Sequence, residues 1–235
     1  LLGDSERGTV YDGPLVVLVS HLSASASEIV AAALQDHGRA LVIGDKSTHG
    51  KGTVQTLVHL DPLLRPDEVA EPGSLKFTVQ TFFRISGETT QKHGVTPDYS
   101  LPSTYDYLEL GEASLPNALE VQPIPPARYR ALNLVKPHVS QLAQASRARI
   151  AVDQEFQYIN EDIELLKKQL ADRRVSLNLE KRLAEKAEQE ARQEARKAQR
   201  MTHAGNATTV FEIDLEGVEA GSPMRTLAEL HQQKE

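Results

Sequence analysis

Two grammars of apolar residues divide the chain: short unbroken runs first, helical spacing later. Pro14 opens Leu15-Val16-Val17-Leu18-Val19, a β-branched run with the length and character of a strand buried on both faces. Serines and alanines follow, and Glu28 to Gln35 is rich in helix formers. Gly38 stands where a left-handed glycine ends a helix. Ala40 to Ile43 reads as a second buried strand, stopped by Gly44-Asp45. Beyond a glycine-rich loop, Thr53–Leu60 and Leu75–Ile85 alternate like paired strands. In the second of these, Thr78, Gln80, Phe82 and Arg84 share one face, and Phe77, Val79, Thr81, Phe83 and Ile85 the other. Strand–helix–strand followed by a meander predicts an α/β fold, a mixed sheet with helices on at least one face.

From about Leu101 the pattern changes. Pro123, Pro125 and Pro126 break any regular element and mark a linker or an extended wrap. Val135 to Gln169 then carries helix formers, with Ile150, Phe156, Ile159, Ile163, Leu166 and Leu170 at roughly helical spacing. Residues 180–200 alternate Glu with Lys and Arg and contain one Leu, which reads as a solvated, salt-bridge-laced helix or as disorder. Thr208–Leu215 is expected as one late strand and Pro223–Gln233 as a terminal helix.

Composition narrows the chemistry. The absence of Cys removes disulfides, thiolate metal sites and cysteine nucleophiles. A net charge of −7 is not the basic body that phosphate neutralisation requires, so nucleic acid is not expected as a partner. The longest apolar run, Leu15 to Val19, falls far short of the roughly 20 residues of a membrane span. The chain starts at Leu1 without Met, inside a charged stretch, and is expected to be a piece of something longer.

The informative segment is Ser20–Gln55. Ser23-Ala24-Ser25-Ala26-Ser27-Glu28 lies between a buried strand and a helix, where N–H groups and the positive end of the helix dipole are on offer. A hydroxyl there can attack a carbonyl while nearby N–H groups hold the oxyanion. The plainer alternative is that Ser25 or Ser27 is a helix N-cap. A base is offered by His21, His37, His49, His59 and His93, none of them at HExxH spacing. It is also offered by Lys51 in His49-Gly50-Lys51-Gly52-Thr53-Val54-Gln55, whose flanking glycines let another segment approach closely. A phosphate-loop reading fails: five residues separate Gly44 from Gly50 where four are needed, and Gly52 stands in place of Ser/Thr.

These residues resemble a known family. Leu15–Val19 with Ser23–Ile29, the stretch Gln35–Gly44, the Gly50-Lys51-Gly52-Thr53-Val54-Gln55 motif and Gly94-Val95-Thr96-Pro97-Asp98 look like the tail-specific protease (C-terminal processing peptidase) family, in its order and near its spacing. The match covers residues 13–103. Residues 104–235 resemble the helical C-terminal extension of the family's long branch, most closely at Asp153–Gln157 and Val175–Asn178. The resemblance implies two domains. Residues 1–103 would be the C-terminal part of a ClpP/crotonase-like peptidase core, and 104–235 a mainly α-helical extension.

It also implies roles: Ser25 as nucleophile, Lys51 as general base, Gln55 as the residue that positions Lys51, and the Ala26 N–H as one oxyanion donor. No metal or other cofactor is implied. Substrates would be exported proteins with apolar C-terminal tails, and the location periplasmic or otherwise outside the bacterial cytoplasm. Whether Lys51 and Gln55 share the face of a helical turn, or stand roughly 13 Å apart along a strand, is open. Two departures stand out. Gly44-Asp45-Lys46-Ser47-Thr48-His49-Gly50-Lys51 is one residue longer than the family pattern and has His49 for its Phe, which leaves Lys46 a minor rival base. The family's peptide-binding PDZ domain and the Gly-rich segment carrying the second oxyanion donor would precede residue 1. The alternatives to a serine endopeptidase are a non-catalytic peptide-binding scaffold of the same fold and an inactive fragment of it.

Overall fold

The computed structural model describes residues 8–9, 11–60, 73–203, 211–212 and 225–226. The chain forms two compact units, Leu1–Arg173 and Arg174–Glu235.

In the first unit, β1 (Val16–Val19), β2 (Leu41–Gly44) and β5 (Tyr99–Ser100) make a parallel sheet in the order β1-β2-β5. Helix α1 (Ala26–Asp36) connects β1 to β2 and lays Ala31 and Ala32 against Val19, Val42 and Val95, with Val17 packed beside them. Alanines on the inner face let helix and sheet approach closely. Successive side chains of a strand alternate faces, so Val17 and Val19 meet this core while Val16 and Leu18 turn away, 53% and 73% exposed. The expectation that Leu15–Val19 is buried on both faces is therefore corrected. β1 is an edge strand, and among the described residues only one of its faces is covered.

α1 stops where the glycine signal placed its end. His37 is its C-cap, and Gly38 follows at φ +63°. β2 ends at Gly44, where a Cβ would lie 1.8 Å from the Val19 carbonyl oxygen. The same oxygen accepts the Asp45 N–H at 3.2 Å.

β3 (Thr53–His59) and β4 (Ser74–Thr81) form an antiparallel hairpin. Val54 pairs with Gln80 but Gln55 with Thr78, so Val79 is an extra residue and the simple alternation along β4 is broken there. The strand expected to run to Ile85 ends at Thr81. Phe82 donates to the Gly52 carbonyl (3.1 Å), and the chain then turns at Arg84–Gly87. Arg84 reaches the C-terminal end of α1, giving Nε to Asp36 (3.0 Å) and Nη2 to Asp36 (2.5 Å) and Gln35 (2.9 Å).

The proline-rich stretch is a wrap. Ile124 donates to the Gly87 carbonyl, Ala127 to Ile85, Leu132 to His37 and Leu134 to Gly38, at 2.8–3.0 Å. Further on, the expected helical run divides into α2 (Val139–Ile150) and α3 (Gln154–Asp172). Asp153 caps the second helix, its carboxylate accepting the N–H groups of Glu155 (2.9 Å) and Phe156 (3.2 Å). Phe156 and Ile159 of α3, with Leu18, Val19 and Gly44, line a cavity of about 420 Å³ at the C-terminal ends of β1 and β2.

In the second unit, α4 (Leu179–His203) runs as one helix with the ion pairs Arg182–Glu185 and Lys186–Glu190 along it. Of the strand expected at Thr208–Leu215, the described residues are β6 (Phe211–Glu212), which pairs antiparallel with β7 (Arg225–Thr226). The expected helix Pro223–Gln233 is corrected at those two residues, where ladder hydrogen bonds override helical composition. The rest of both segments lies outside the described residues. Among the described residues no helix is long and apolar enough to cross a membrane.

Gly44→Ala is expected to destabilise the first unit by about 3 kcal/mol or more, because its Cβ has no space beside Val19. Chemical denaturation of wild type and variant measures this.

Candidate active site

Ser25 sits at the strand-to-helix junction as the N-cap of α1, with φ +57° and ψ −113°. A β-carbon disfavours that conformation by about 1–3 kcal/mol, so the surroundings must impose it. Its two neighbouring serines are committed. Ser23 Oγ accepts the Ser20 N–H (3.1 Å), and Ser27 Oγ donates to the Ala24 carbonyl (2.8 Å). Ser25 and Glu28 stand as the two ends of a capping box: the Ser25 N–H donates to Glu28 Oε2 (2.8 Å), and the Glu28 N–H donates to the Ser25 carbonyl (2.9 Å). The cap reading is met at Ser25, which is the N-cap of α1. The Ala26 N–H is the first of α1, exposed and with no partner among the described residues.

The strain is imposed by Glu28. This side chain is fully buried, and its carboxylate accepts four hydrogen bonds. Oε2 takes the N–H of Ser25 (2.8 Å) and the N–H of Lys51 (2.9 Å). Oε1 takes the N–H of Gly50 (2.7 Å) and the hydroxyl of Thr48. Four donors match the roughly four lone-pair sites of a carboxylate, so the group is saturated. One oxygen therefore holds the backbones of Ser25 and Lys51 within two hydrogen-bond lengths of each other. In the sequence Glu28 reads only as a helix former. The signal that finds it is Ser25-x-x-Glu28, a capping-box spacing at a junction already suspected of chemistry.

The Lys51 loop is fixed from every side. From Thr48 to Gly52 each N–H has a partner: Val95 carbonyl (3.2 Å), Ser23 carbonyl (2.9 Å), Glu28 twice, and Gln91 Oε1 (2.9 Å). Lys92 donates to the Gly50 carbonyl (2.8 Å). The two flanking glycines serve close approach. A Cβ at Gly50 would lie 2.9 Å from Lys92 backbone, and one at Gly52 2.5 Å from the Gln91 nitrogen. The Gly94-Val95-Thr96-Pro97-Asp98 motif also finds its work. Val95 donates to Thr48 Oγ1 (2.7 Å), and Asp98 accepts the Val42 N–H (2.8 Å).

Lys51 itself is half-buried. Gln55 lies on β3, so the segment from Lys51 to Gln55 leads into a strand and makes no helical turn. Gln55 is exposed and follows the register shift at Val54. Lys46 is exposed, with its N–H on Asp106 (2.9 Å). Three of the five candidate histidines are occupied elsewhere, His21 Nε2 with Asp106 (3.1 Å), His59 with Ser74 (2.8 Å) and His37 edge-on to Tyr129, while His49 lies in the Lys51 loop with Nε2 3.9 Å from Glu112. Among the described residues no group of His, Asp and Glu has the arrangement to hold a metal ion.

Comparison with known proteins gives a consistent pattern. Residues 3–101 match the model of Peptidase family S41, and residues 105–228 match that of the C-terminal domain of tail specific protease. A tail-specific protease of Haemophilus influenzae is 38% identical over 185 residues, 77% of this chain and 26% of that protein. A carboxy-terminal-processing protease of Bartonella bacilliformis is 42% identical over 119 residues, 48% of this chain and 25% of that one. The chain thus spans about a quarter of the length of these two curated relatives. A solved structure of a photosystem II D1 C-terminal processing protease is 39% identical over 37% of this chain and 20% of its own, with a TM-score of 0.31.

Two outcomes are expected. Ser25→Gly relieves the left-handed strain and should raise the melting temperature, while Ser25→Ala should not, since alanine keeps the Cβ. Glu28→Gln places an amide NH2 among four donors, and should cost on the order of 3 kcal/mol in a denaturant titration.

Proposed function

Because the chain belongs to the C-terminal processing protease family, we propose that it is the C-terminal part of a serine endopeptidase acting through a Ser25–Lys51 dyad. The observation that supports this best is the single Glu28 oxygen that takes the N–H groups of both Ser25 and Lys51. It brings a serine on a strained turn and a lysine loop to close quarters, the pairing that acyl transfer needs without histidine or metal.

In the proposed reaction Lys51, neutral when it acts, takes the proton of Ser25 as Oγ bonds to the scissile carbonyl carbon. The oxyanion rests on the Ala26 N–H, a donor at the positive end of α1. Collapse breaks the C–N bond, and Lys51 Nζ returns the proton to the leaving amine. A water, deprotonated by the same lysine, then releases the acyl group and restores Ser25. Gln55 is read as the neutral amide that orients Lys51. Its place on β3, four residues after the loop, requires the hairpin to curl back over the loop in the working protein.

In this reading residues 1–103 belong to the peptidase core and 104–235 to the extension, a boundary supported by where the two family models meet. The substrate is a protein with an apolar C-terminal tail, met outside the bacterial cytoplasm. The complete enzyme contains residues upstream of this chain, including a second oxyanion donor. The 235-residue chain alone should therefore turn over slowly, since loss of one such donor typically costs roughly 100- to 1,000-fold.

The test is cleavage of a peptide with an apolar C-terminus by the longer protein. Lys51→Arg should abolish turnover despite keeping the charge, because a guanidinium is no base near neutral pH. Ser25→Ala should be equally inactive, and the double variant little worse, since the pair acts as a unit. A chelator should leave the rate unchanged. A Lys51→Arg enzyme as fast as wild type refutes the dyad.

A further inference from the structure

Glu28 holds one side of the Lys51 loop, and the opposite side is held from the C-terminal segment. Gly111-Glu112 opens a short 3-10 turn that presses against the loop. The Glu112 N–H donates to the His49 carbonyl at 2.8 Å. Glu112 Oε1 accepts from the Gln91 amide nitrogen (3.0 Å), and the Gln91 carbonyl oxygen in turn accepts the Gly52 N–H (2.9 Å). Glu112 Oε2 stands 3.9 Å from His49 Nε2. One residue thus grips the loop two positions before Lys51 and, through Gln91, one position after it. The close approach depends on Gly111, at φ +92°, where a Cβ would lie 2.6 Å from the His49 oxygen.

The grip crosses a boundary. Lys51 lies in the part that matches the peptidase family, and Glu112 in the part that matches the C-terminal domain. Asp106, in the same segment, binds His21 and the Lys46 N–H on the other flank of the site, so the contact is not isolated.

We propose that Glu112 is a positioning residue of the proteolytic reaction, supplied by the C-terminal extension to set the backbone that carries Lys51. This rests on the reading of Lys51 as the base. Glu112 touches no substrate in this role. Its effect runs through the aim of the amine, and a displacement of about 1 Å at a reacting group can cost on the order of 100-fold in rate.

The experiment compares Glu112→Ala, Glu112→Gln, Gln91→Ala and Lys51→Arg in the longer protein, with kcat and KM separated. Hydrogen exchange of the Gly50–Gly52 amides is read in parallel. Glu112→Ala and Gln91→Ala should each lower kcat about 10- to 100-fold while KM moves less than about twofold, since Lys51 acts in the transition state. Glu112→Gln should recover most of the rate, because its amide oxygen still accepts from Gln91. The Gly52 amide should exchange faster in the two alanine variants.

Unchanged kcat in both alanine variants, with the Gly52 amide deprotected or a lowered melting temperature, overturns the positioning role and leaves a structural one. If those variants are normal while Lys51→Arg is dead, only the Glu112 proposal falls. If Lys51→Arg retains wild-type activity, the dyad reading falls and this proposal with it.

Discussion

A single buried carboxylate organises this molecule. Burying an ionisable group without full compensation costs several kcal/mol, and an acid at the foot of a helix among alanines would be expelled unless every lone pair were used. Glu28 is accepted because Ser25, Thr48, Gly50 and Lys51 supply donors from two separate segments. The same four bonds carry the geometry outward. They hold Ser25 in a conformation it would not choose, and they pair the backbone of the 48–52 loop. Thr48 passes the constraint to Val95 and so to the hydrophobic core. Stability and site geometry cannot be separated here, because they are the same contacts.

Around that centre the fold is economical. Among the described residues the parallel sheet is three strands wide, and α1 covers one of its faces. Most of the precision comes from irregular backbone: the 89–95 loop, the turn at Gly87 and the segment 104–114. Such segments are defined when their polar groups are paired, and here most of the loop amides next to the site are. The hairpin is the exception. Val54, Leu57, Phe77 and Val79 are exposed on it, so less of its geometry is set by burial.

Much of this was legible in the sequence. The run Leu15–Val19, the stop at Gly38 and the Lys51 glycines announced a strand, a helix end and a close approach, each from local chemistry. What the residues alone did not reveal was long-range. A β-branched run has the same appearance whether one face or both are covered, so the exposure of Val16 and Leu18 was hidden. Alternation along 75–85 gave no sign of the extra residue at Val79, because a bulge is set by the partner strand. A serine before a helix reads as a cap, which Ser25 is, but the sequence gives no sign of its positive φ. Asp153, by contrast, is a readable N-cap residue type inside the long helical pattern. Glu28 was hidden by its own good helix propensity.

The wrap from Ile124 to Leu134 bears on how the site comes into being. Helix α1, which carries Ser25, ends on hydrogen bonds from Leu132 and Leu134, and the turn that feeds Arg84 to that helix end is closed by Ile124 and Ala127. These are contacts of large sequence separation, and the entropy of closing such loops is met before their bonds form. As the chain emerges from the ribosome, the segment that finishes the helix end follows the serine by about a hundred residues. A nascent chain therefore carries every residue of the candidate dyad well before it carries the backbone that seals their scaffold. The order of synthesis itself delays the maturation of the site.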